Sequence, residues 1–192
     1  MILYIDACAR EASRTRILAD ALVRRLQEKE PDTVIRRKLY EDRKQLIPLT
    51  EEDILRRQRS ADRQDYSDPM FRYAKEFAEA DRIVIAAPYW DLSFPAILKL
   101  YFEHISVNGL TFRYTEQGEP IGLCRAEILY YITTAGGEIG TCNLGYDYVK
   151  YLVRGLFGVH DSQCIRAVGL DLQGVNADEV IRNAVVQIRE YQ

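Results

Sequence analysis

The chain has 192 residues, of which 47% are hydrophobic and 29% are charged, and its net charge at pH 7 is −3. This length and composition are typical of one globular domain with a substantial core, so we expect residues 1–192 to form a single domain. The slightly negative charge gives no electrostatic reason to expect nucleic acid as a partner.

The four cysteines lie far apart in the sequence, and none belongs to a CxxC pair or to a zinc-type spacing. We therefore expect reduced thiols and no metal site. The amino terminus, MILYID, lacks a basic segment and meets an acid at once, which predicts a strand rather than a signal peptide. No apolar run approaches the roughly 18 residues that a membrane helix needs. We expect a cytoplasmic protein without a membrane partner.

The first half of the chain predicts two strands, a helix between them and a long charged connection. Residues 2–5 are apolar, as in a central parallel strand, and residues 17–26 repeat apolar side chains at helical spacing. Residues 33–39 alternate apolar and basic side chains, which favours a strand nearer the sheet edge. Residues 40–68 are highly charged and weakly periodic, so we expect one or two helices there, with Glu51–Arg63 as a candidate.

The second half alternates strands with helices. The predicted helices cover residues 71–79, 94–107, 146–157 and 181–188. The predicted strands cover residues 83–87, 127–133 and 163–169. Five strands alternating with helices indicate an α/β fold, a doubly wound parallel sheet with helices on both faces. The strand order 2-1-3-4-5 would bring the loops after strands one, three and four together at the carboxyl edge, where such sheets bind ligands.

The loop after the first strand leads into a helix start that suits a phosphate group. Ser13 is a natural N-cap, and free N–H groups at a helix N-terminus bind anions. Thr15 and Arg10 would add a hydroxyl donor and a cation. The alternative is that Ser13 only caps the helix. No GxGxxG or GxxxxGK[ST] pattern occurs, which disfavours a Rossmann dinucleotide site and a P-loop nucleotide site.

The loop after the third strand predicts a flat apolar wall, and the loop after the fourth strand predicts a close approach of the backbone to a ligand. The loop after the third strand consists of Pro88, Tyr89, Trp90, Asp91 and Leu92. Its aromatic rings offer a surface for a planar cofactor, or they only cap the end of the sheet. The loop after the fourth strand consists of Thr134, Ala135, Gly136 and Gly137. Paired glycines permit positive φ and close contact with a ligand edge, although a plain turn would look the same.

Four segments together resemble the FMN-dependent NADH:quinone oxidoreductases and azoreductases, a branch of the flavodoxin-like fold. They are IVIAAPYWDL at 83–92, LKLYFE at 98–103, GLTFRYTE at 109–116 and ITTAGG at 132–137. The resemblance runs from the first strand to the last helix and is weakest over residues 40–80. It implies bound FMN, NADH or NADPH as the electron donor, a homodimer, and two-electron transfer to quinones or azo compounds by a ping-pong route.

The resemblance also assigns roles to the three loops. The run Ser13-Arg14-Thr15 matches the phosphate-binding segment, Tyr89 to Leu92 match the loop along the isoalloxazine, and Thr134 to Gly137 match the loop at the pyrimidine edge. Chemistry then takes place on FMN, so no catalytic side chain is expected. We expect replacement of Gly137 by Val to abolish flavin binding through crowding. The chain departs from the family pattern at Ala7-Cys8, Asp91 and Ala135, where the family often has serine, asparagine and arginine.

Two interpretations are open for Phe112 and Tyr114: they fold over the pocket on the substrate side, towards a partner subunit, or they belong to a packed β-extension. His104 and His160 have no obvious partners and are interpreted as structural. Two other functions remain open: a flavin-binding electron carrier without turnover, and a protein that senses nicotinamide nucleotide without a flavin.

Overall fold

The fold contains a five-stranded parallel sheet and a separate short hairpin. The computed structural model describes residues 1–190. Its strands are β1 Ile2–Asp6, β2 Val34–Lys38, β3 Arg82–Ala86, β4 Phe112–Tyr114, β5 Pro120–Gly122, β6 Ile128–Thr134 and β7 Asp161–Ala167. The sheet order is β2-β1-β3-β6-β7, which is 2-1-3-4-5 when only the sheet strands are counted. The predicted fold class and strand order are therefore confirmed.

Residues 1–190 also form six α-helices, of which the last follows β7. They are α1 Arg14–Lys29, α2 Glu51–Arg63, α3 Arg72–Glu79, α4 Ala96–Ile105, α5 Leu144–Leu152 and α6 Ala177–Arg189. A 3-10 turn at Pro69–Phe71 leads into α3, and a π-helical turn at Val153–Phe157 follows α5. Within residues 1–190, no helix is both long enough and apolar enough to cross a bilayer.

The core has two layers because alternate residues of each strand face opposite sides of the sheet. On one side, Tyr4 and Ile132 pack with apolar residues of α1 and α6. On the other, Ile5 and Tyr131 pack with residues of α3, α4 and α5. The sheet is thus covered on both faces, and only the ends of its strands remain open for a site.

Three predicted boundaries shift for local reasons. The helix expected at 94–107 begins at Ala96, because Phe94 precedes Pro95 and a residue before proline is driven out of the helical conformation. The strand expected at 163–169 ends at Ala167, before Gly169 with φ of 72°. Thr134, expected in a loop, is the last residue of β6.

The charged connection contains the helix that its sequence suggested. Glu51–Arg63 is helical, and Thr50 and Asp53 form a capping box at its start. None of its residues is buried, so its local capping and charge pattern determine it more than core packing does.

Candidate functional site

A cavity of about 420 Å³ opens at the carboxyl edge of the sheet, where the predicted loops meet. Three walls come from residues 9–15 (the first wall), 88–90 (the second wall) and 134–136 (the third wall), and a fourth loop adds Leu170 and Asp171. The cavity-lining residues from the sequence prediction are Arg10, Ser13, Arg14, Thr15, Pro88, Tyr89, Trp90, Thr134, Ala135 and Gly136. Three other predicted residues, Asp91, Leu92 and Gly137, adjoin the lining without belonging to it.

The first wall joins β1 to α1. Ser13 caps the helix, because its side chain accepts a hydrogen bond from the Arg16 N–H at 3.4 Å. Thr15 is buried, and its hydroxyl lies 2.6 Å from that of Thr134. This contact ties the first wall directly to the third.

A buried carboxylate supports the first wall from below. Asp6 is 1% exposed and pairs with Arg16 at 2.7 Å and with Arg36 at 2.9 Å. Its carboxylate also accepts the N–H of Cys8 at 3.0 Å. Burial raises the pKa of Asp6, but the hydrogen bonds from Arg16 and Arg36 outweigh burial and hold the pKa below its usual value. Asp6 is therefore ionised at neutral pH.

The second wall is held by a tight turn. Tyr89 donates its N–H to the Thr134 carbonyl at 3.0 Å, and Trp90 and Ser93 exchange backbone hydrogen bonds at 3.1 and 2.7 Å. The two residues between them, Asp91 and Leu92, have φ of 50° and 65°. Positive φ at both central positions is typical of a type I′ turn, which normally selects asparagine or glycine. This turn gives Asp91 and Leu92 a role in shaping the wall.

The third wall extends the pairing of β6 with β7. Ala135 donates its N–H to Ala167 at 3.1 Å, and Asp171 donates its N–H to Gly136 at 2.8 Å. The two glycines do not have positive φ, so that part of the prediction was wrong. A Cβ at Gly136 would lie 2.3 Å from Oδ2 of Asp171, so a larger residue there would require the exposed Asp171 side chain to move. A Cβ at Gly137 would meet no protein atom within 4 Å, so crowding by the protein is not expected there.

The sequence prediction missed the fourth loop and two alanines of the first wall, Ala9 and Ala12. Asp171 lies on the rim and pairs with Arg14 at 3.0 Å. The available signal was topological: this loop follows the fifth sheet strand and so ends at the same edge as the other three.

Several candidate functional residues lie outside the cavity or are not placed to act as catalytic groups. Phe112 is buried in the core and Tyr114 is 55% exposed on the hairpin, and neither lines the cavity. Their substrate-side role stays a prediction. His104 hydrogen-bonds the Ile47 carbonyl at 2.8 Å, as a structural histidine would. Burial raises the pKa of the Cys8 thiol to about 12, so Cys8 is not a thiolate nucleophile at neutral pH.

The residues present suit a flavin phosphate. A capped helix start with Arg10 and Arg14 nearby provides N–H donors and positive charge for an anion. Tyr89 and Trp90 provide flat apolar surface, and Gly136 leaves a backbone edge without a side chain. Among residues 1–190, no group of three histidine, cysteine or acidic side chains could hold a metal ion.

Comparison with known proteins identifies the family of the chain. A family model described as "Flavodoxin-like fold" matches residues 1–191. The FMN-dependent NADH:quinone oxidoreductase 2 of Clostridium acetobutylicum is 36% identical over 198 residues, covering 98% of this chain and 96% of the relative. An FMN-dependent NADH:quinone oxidoreductase of Caldicellulosiruptor saccharolyticus is 36% identical over 197 residues, with the same coverage of 98% and 96%.

A solved structure supports the fold independently. The FMN-dependent NADH-azoreductase from Bacillus anthracis, in complex with FMN, superposes with a TM-score of 0.78 at 22% identity, covering 98% of this chain and 95% of that one. At this identity the structural match supports the architecture, while the sequence relatives establish the family. The chain therefore belongs to the flavodoxin-like family of FMN-dependent NADH:quinone oxidoreductases.

Proposed function

We propose that this oxidoreductase binds FMN and passes two electrons from NADH or NADPH to a quinone, an azo compound or a similar small acceptor. The observation that carries the proposal is the convergence of the three walls and the fourth loop on one cavity of about 420 Å³. Volumes of about 300–1,000 Å³ are typical of small-molecule and cofactor sites. The relatives named for FMN and NADH make this cofactor and donor the first to test.

Each wall takes one part of the cofactor in this proposal. Ser13, Arg14 and Thr15 bind the phosphate with N–H, hydroxyl and guanidinium donors, with Arg10 at the rim. Pro88, Tyr89 and Trp90 lie along the isoalloxazine, and Asp91 and Leu92 form the turn that fixes them. Thr134, Ala135 and Gly136 face the pyrimidine edge, with Gly137 behind them.

The protein's own contribution is placement and electrostatics. Bound FMN supplies the two-electron hydride chemistry, so no acidic or basic side chain is required. Backbone N–H groups near Gly136 and Gly137 can stabilise negative charge at the pyrimidine edge because they are fixed dipoles in a shielded site. One open face would serve donor and acceptor in turn, which is the structural requirement for a ping-pong route.

A homodimer is part of the proposal. Leu144, Tyr148 and Tyr151 share one face of α5 and are 53%, 39% and 79% exposed. An apolar groove beside them is lined by Pro48, Ile54 and Leu152 among others. Contiguous exposed apolar surface of this kind supports burial against a second copy. Light scattering coupled to size-exclusion chromatography measures the mass of the assembly directly.

A cytoplasmic location likewise stays a prediction of the sequence.

The deciding experiment is anaerobic reduction of the FMN-loaded chain. We expect NADH or NADPH to bleach the flavin band in one two-electron phase, and benzoquinone to restore it. A redox titration of the same sample separates the electron carrier from the reductase, because a stable one-electron semiquinone would favour the carrier. Failure of the purified chain to bind FMN would reject the proposal and leave the nucleotide-sensing alternative.

A further inference from the structure

Arg16 lies in the first turn of α1, but its guanidinium contacts the loop that precedes the helix. It donates to the carbonyl oxygens of Cys8 and Arg10, both at 2.8 Å, and of Glu11 at 2.6 Å. Its Nε donates to Oδ2 of Asp6 at 2.7 Å. The planar guanidinium of Arg16 thus binds three carbonyl groups of the first wall and the Asp6 carboxylate beneath that wall.

Helix physics alone does not explain an arginine at this position. A cation in the first turn opposes the helix dipole, and α1 has no acidic residue in its first turn to offset it. The Arg16 side chain is 17% exposed and lies outside the cavity lining. Its contacts with the loop and with Asp6 are therefore its main interactions, and it acts on the cavity only through the loop.

The direction of the three carbonyls determines where the neighbouring N–H groups point. In a planar trans peptide, the C=O of one residue and the N–H of the next point in opposite directions. The N–H groups of Ala9, Glu11 and Ala12 therefore point away from Arg16. Ala9 and Ala12 line the cavity. Within residues 1–190, none of these three N–H groups donates a hydrogen bond to another protein group.

We propose that Arg16 is a positioning residue that orients the N–H groups of Ala9, Glu11 and Ala12 for the phosphate of FMN. The Asp6 carboxylate holds Arg16 in place at 2.7 Å, and Arg36 of β2 pairs with the same carboxylate at 2.9 Å. This inference rests on the proposed function, since it assigns a mechanism to phosphate recognition in the same cavity. In this inference a partly buried cation favours binding of an anion that it does not contact.

The test compares FMN with riboflavin, which has the same ring system and no phosphate. Wild type, Arg16→Met and Arg16→Lys are stripped of flavin, and both affinities are measured by fluorescence quenching. Arg24→Met is the matched control: it lies on the same helix and bonds the carbonyl of Asp20, outside the loop. Thermal unfolding of every variant is recorded alongside.

We expect Arg16→Met to weaken FMN binding about 10- to 100-fold, because several charge-assisted contacts that order the loop are lost together. Riboflavin binding should change less than about threefold, since its ring is held by the other walls. Arg16→Lys keeps the charge but cannot reach three carbonyls at once, so it should lose most of the preference for FMN. Arg24→Met should behave as wild type.

An unchanged ratio of FMN to riboflavin affinity in the Arg16 variants would overturn the inference. If both affinities stay at the wild-type value, Arg16 does not affect flavin binding. If both fall by the same factor, Arg16 has a purely structural role. If Arg16→Met does not fold, Arg16→Lys decides on the same ratio. A wild-type chain that binds neither flavin rejects the proposed function itself, and that outcome is seen before any variant is compared.

Discussion

The first and second walls follow adjacent strands, β1 and β3, but different forces hold them in shape. The first wall depends on Asp6, Arg16 and Arg36, side chains that come from two strands and a helix. The second wall depends on a four-residue turn with two positive φ angles and its own backbone hydrogen bonds. A change in the network should therefore spread through the first wall, whereas a change in the turn should remain local.

The largest expected effect comes from breaking the network at Asp6. Asp6→Asn removes the counter-charge of two guanidinium groups that lie largely inside the protein, and we expect a loss of about 3 kcal/mol in the free energy of unfolding. Urea denaturation measures it. Asp91→Asn is the matched control in the second wall, because its carboxylate is exposed and asparagine tolerates positive φ. A loss below about 1 kcal/mol for Asp6→Asn would show that the network is not the main support.

The same carboxylate makes stability depend on pH. The folded pKa of Asp6 is lowered from 3.8, because the hydrogen bonds from Arg16 and Arg36 outweigh burial. The ionised group therefore stabilises the fold fully above its unfolded pKa, and this contribution is lost as pH falls through the folded value. The stability gap between wild type and Asp6→Asn should narrow below about pH 4. Denaturation curves at several pH values measure the gap, and a constant gap would contradict the assignment.

We expect the second wall to affect binding of the flavin ring and not binding of the phosphate. Trp90 lines the cavity and is 38% exposed, so Trp90→Ala removes stacking surface without opening the core. We expect FMN and riboflavin binding to weaken by about the same factor, roughly tenfold each. A change in the ratio of FMN affinity to riboflavin affinity would show that the second wall also affects binding of the phosphate.

Tyr114→Ala serves as the aromatic control for that titration. Tyr114 is exposed and outside the cavity lining, so flavin affinity should not change. The KM for benzoquinone in the same variant tests the predicted substrate-side role, because a higher KM with unchanged flavin affinity would support it.

Asp171 gives a smaller effect at the rim of the first wall. Its carboxylate pairs with Arg14, and the side chains are 42% exposed for Arg14 and 72% for Asp171. Such exposed pairs contribute little to stability. Asp171→Asn frees Arg14 and removes a negative charge near the phosphate site, so FMN should bind up to about fivefold tighter at low salt. Riboflavin affinity should stay the same, and weaker FMN binding would assign Asp171 a direct role in holding the cofactor.

Local signals in the sequence predicted one part of this molecule well. Apolar runs predicted the five strands, Ser13 marked the start of α1, and the charged stretch suggested Glu51–Arg63, whereas the strand order followed from the fold class. Periodicity and capping are properties of neighbouring residues, so they can be recognised before the fold is known.

The supports of the two walls were not predictable in that way. The contacts of Arg16 and Arg36 with Asp6 join residues that are 10 and 30 positions apart, and an arginine in a helix or strand gives no sign of its partner. The turn at Asp91 and Leu92 lacks the glycine or asparagine that normally marks positive φ. The position of Asp171 at the site follows only from the sheet order, which places its loop beside Gly136.

The smallest expected effect on stability comes from the backbone strain of the turn in the second wall. Leu92 has φ of 65° and is 64% exposed, so its side chain contributes little packing that would offset the left-handed conformation. Leu92→Gly removes the steric cost of that conformation but makes the unfolded chain more flexible, and the two effects partly cancel. We expect a gain in the free energy of unfolding of less than about 1 kcal/mol, with unchanged affinity for both flavins. Gly118→Ala is the reverse control, because Gly118 has φ of 82° with open space around a Cβ, and alanine there should destabilise by a similar amount. If Leu92→Gly instead weakens flavin binding, the Leu92 side chain has a direct part in the site, and the second wall is more than a local turn.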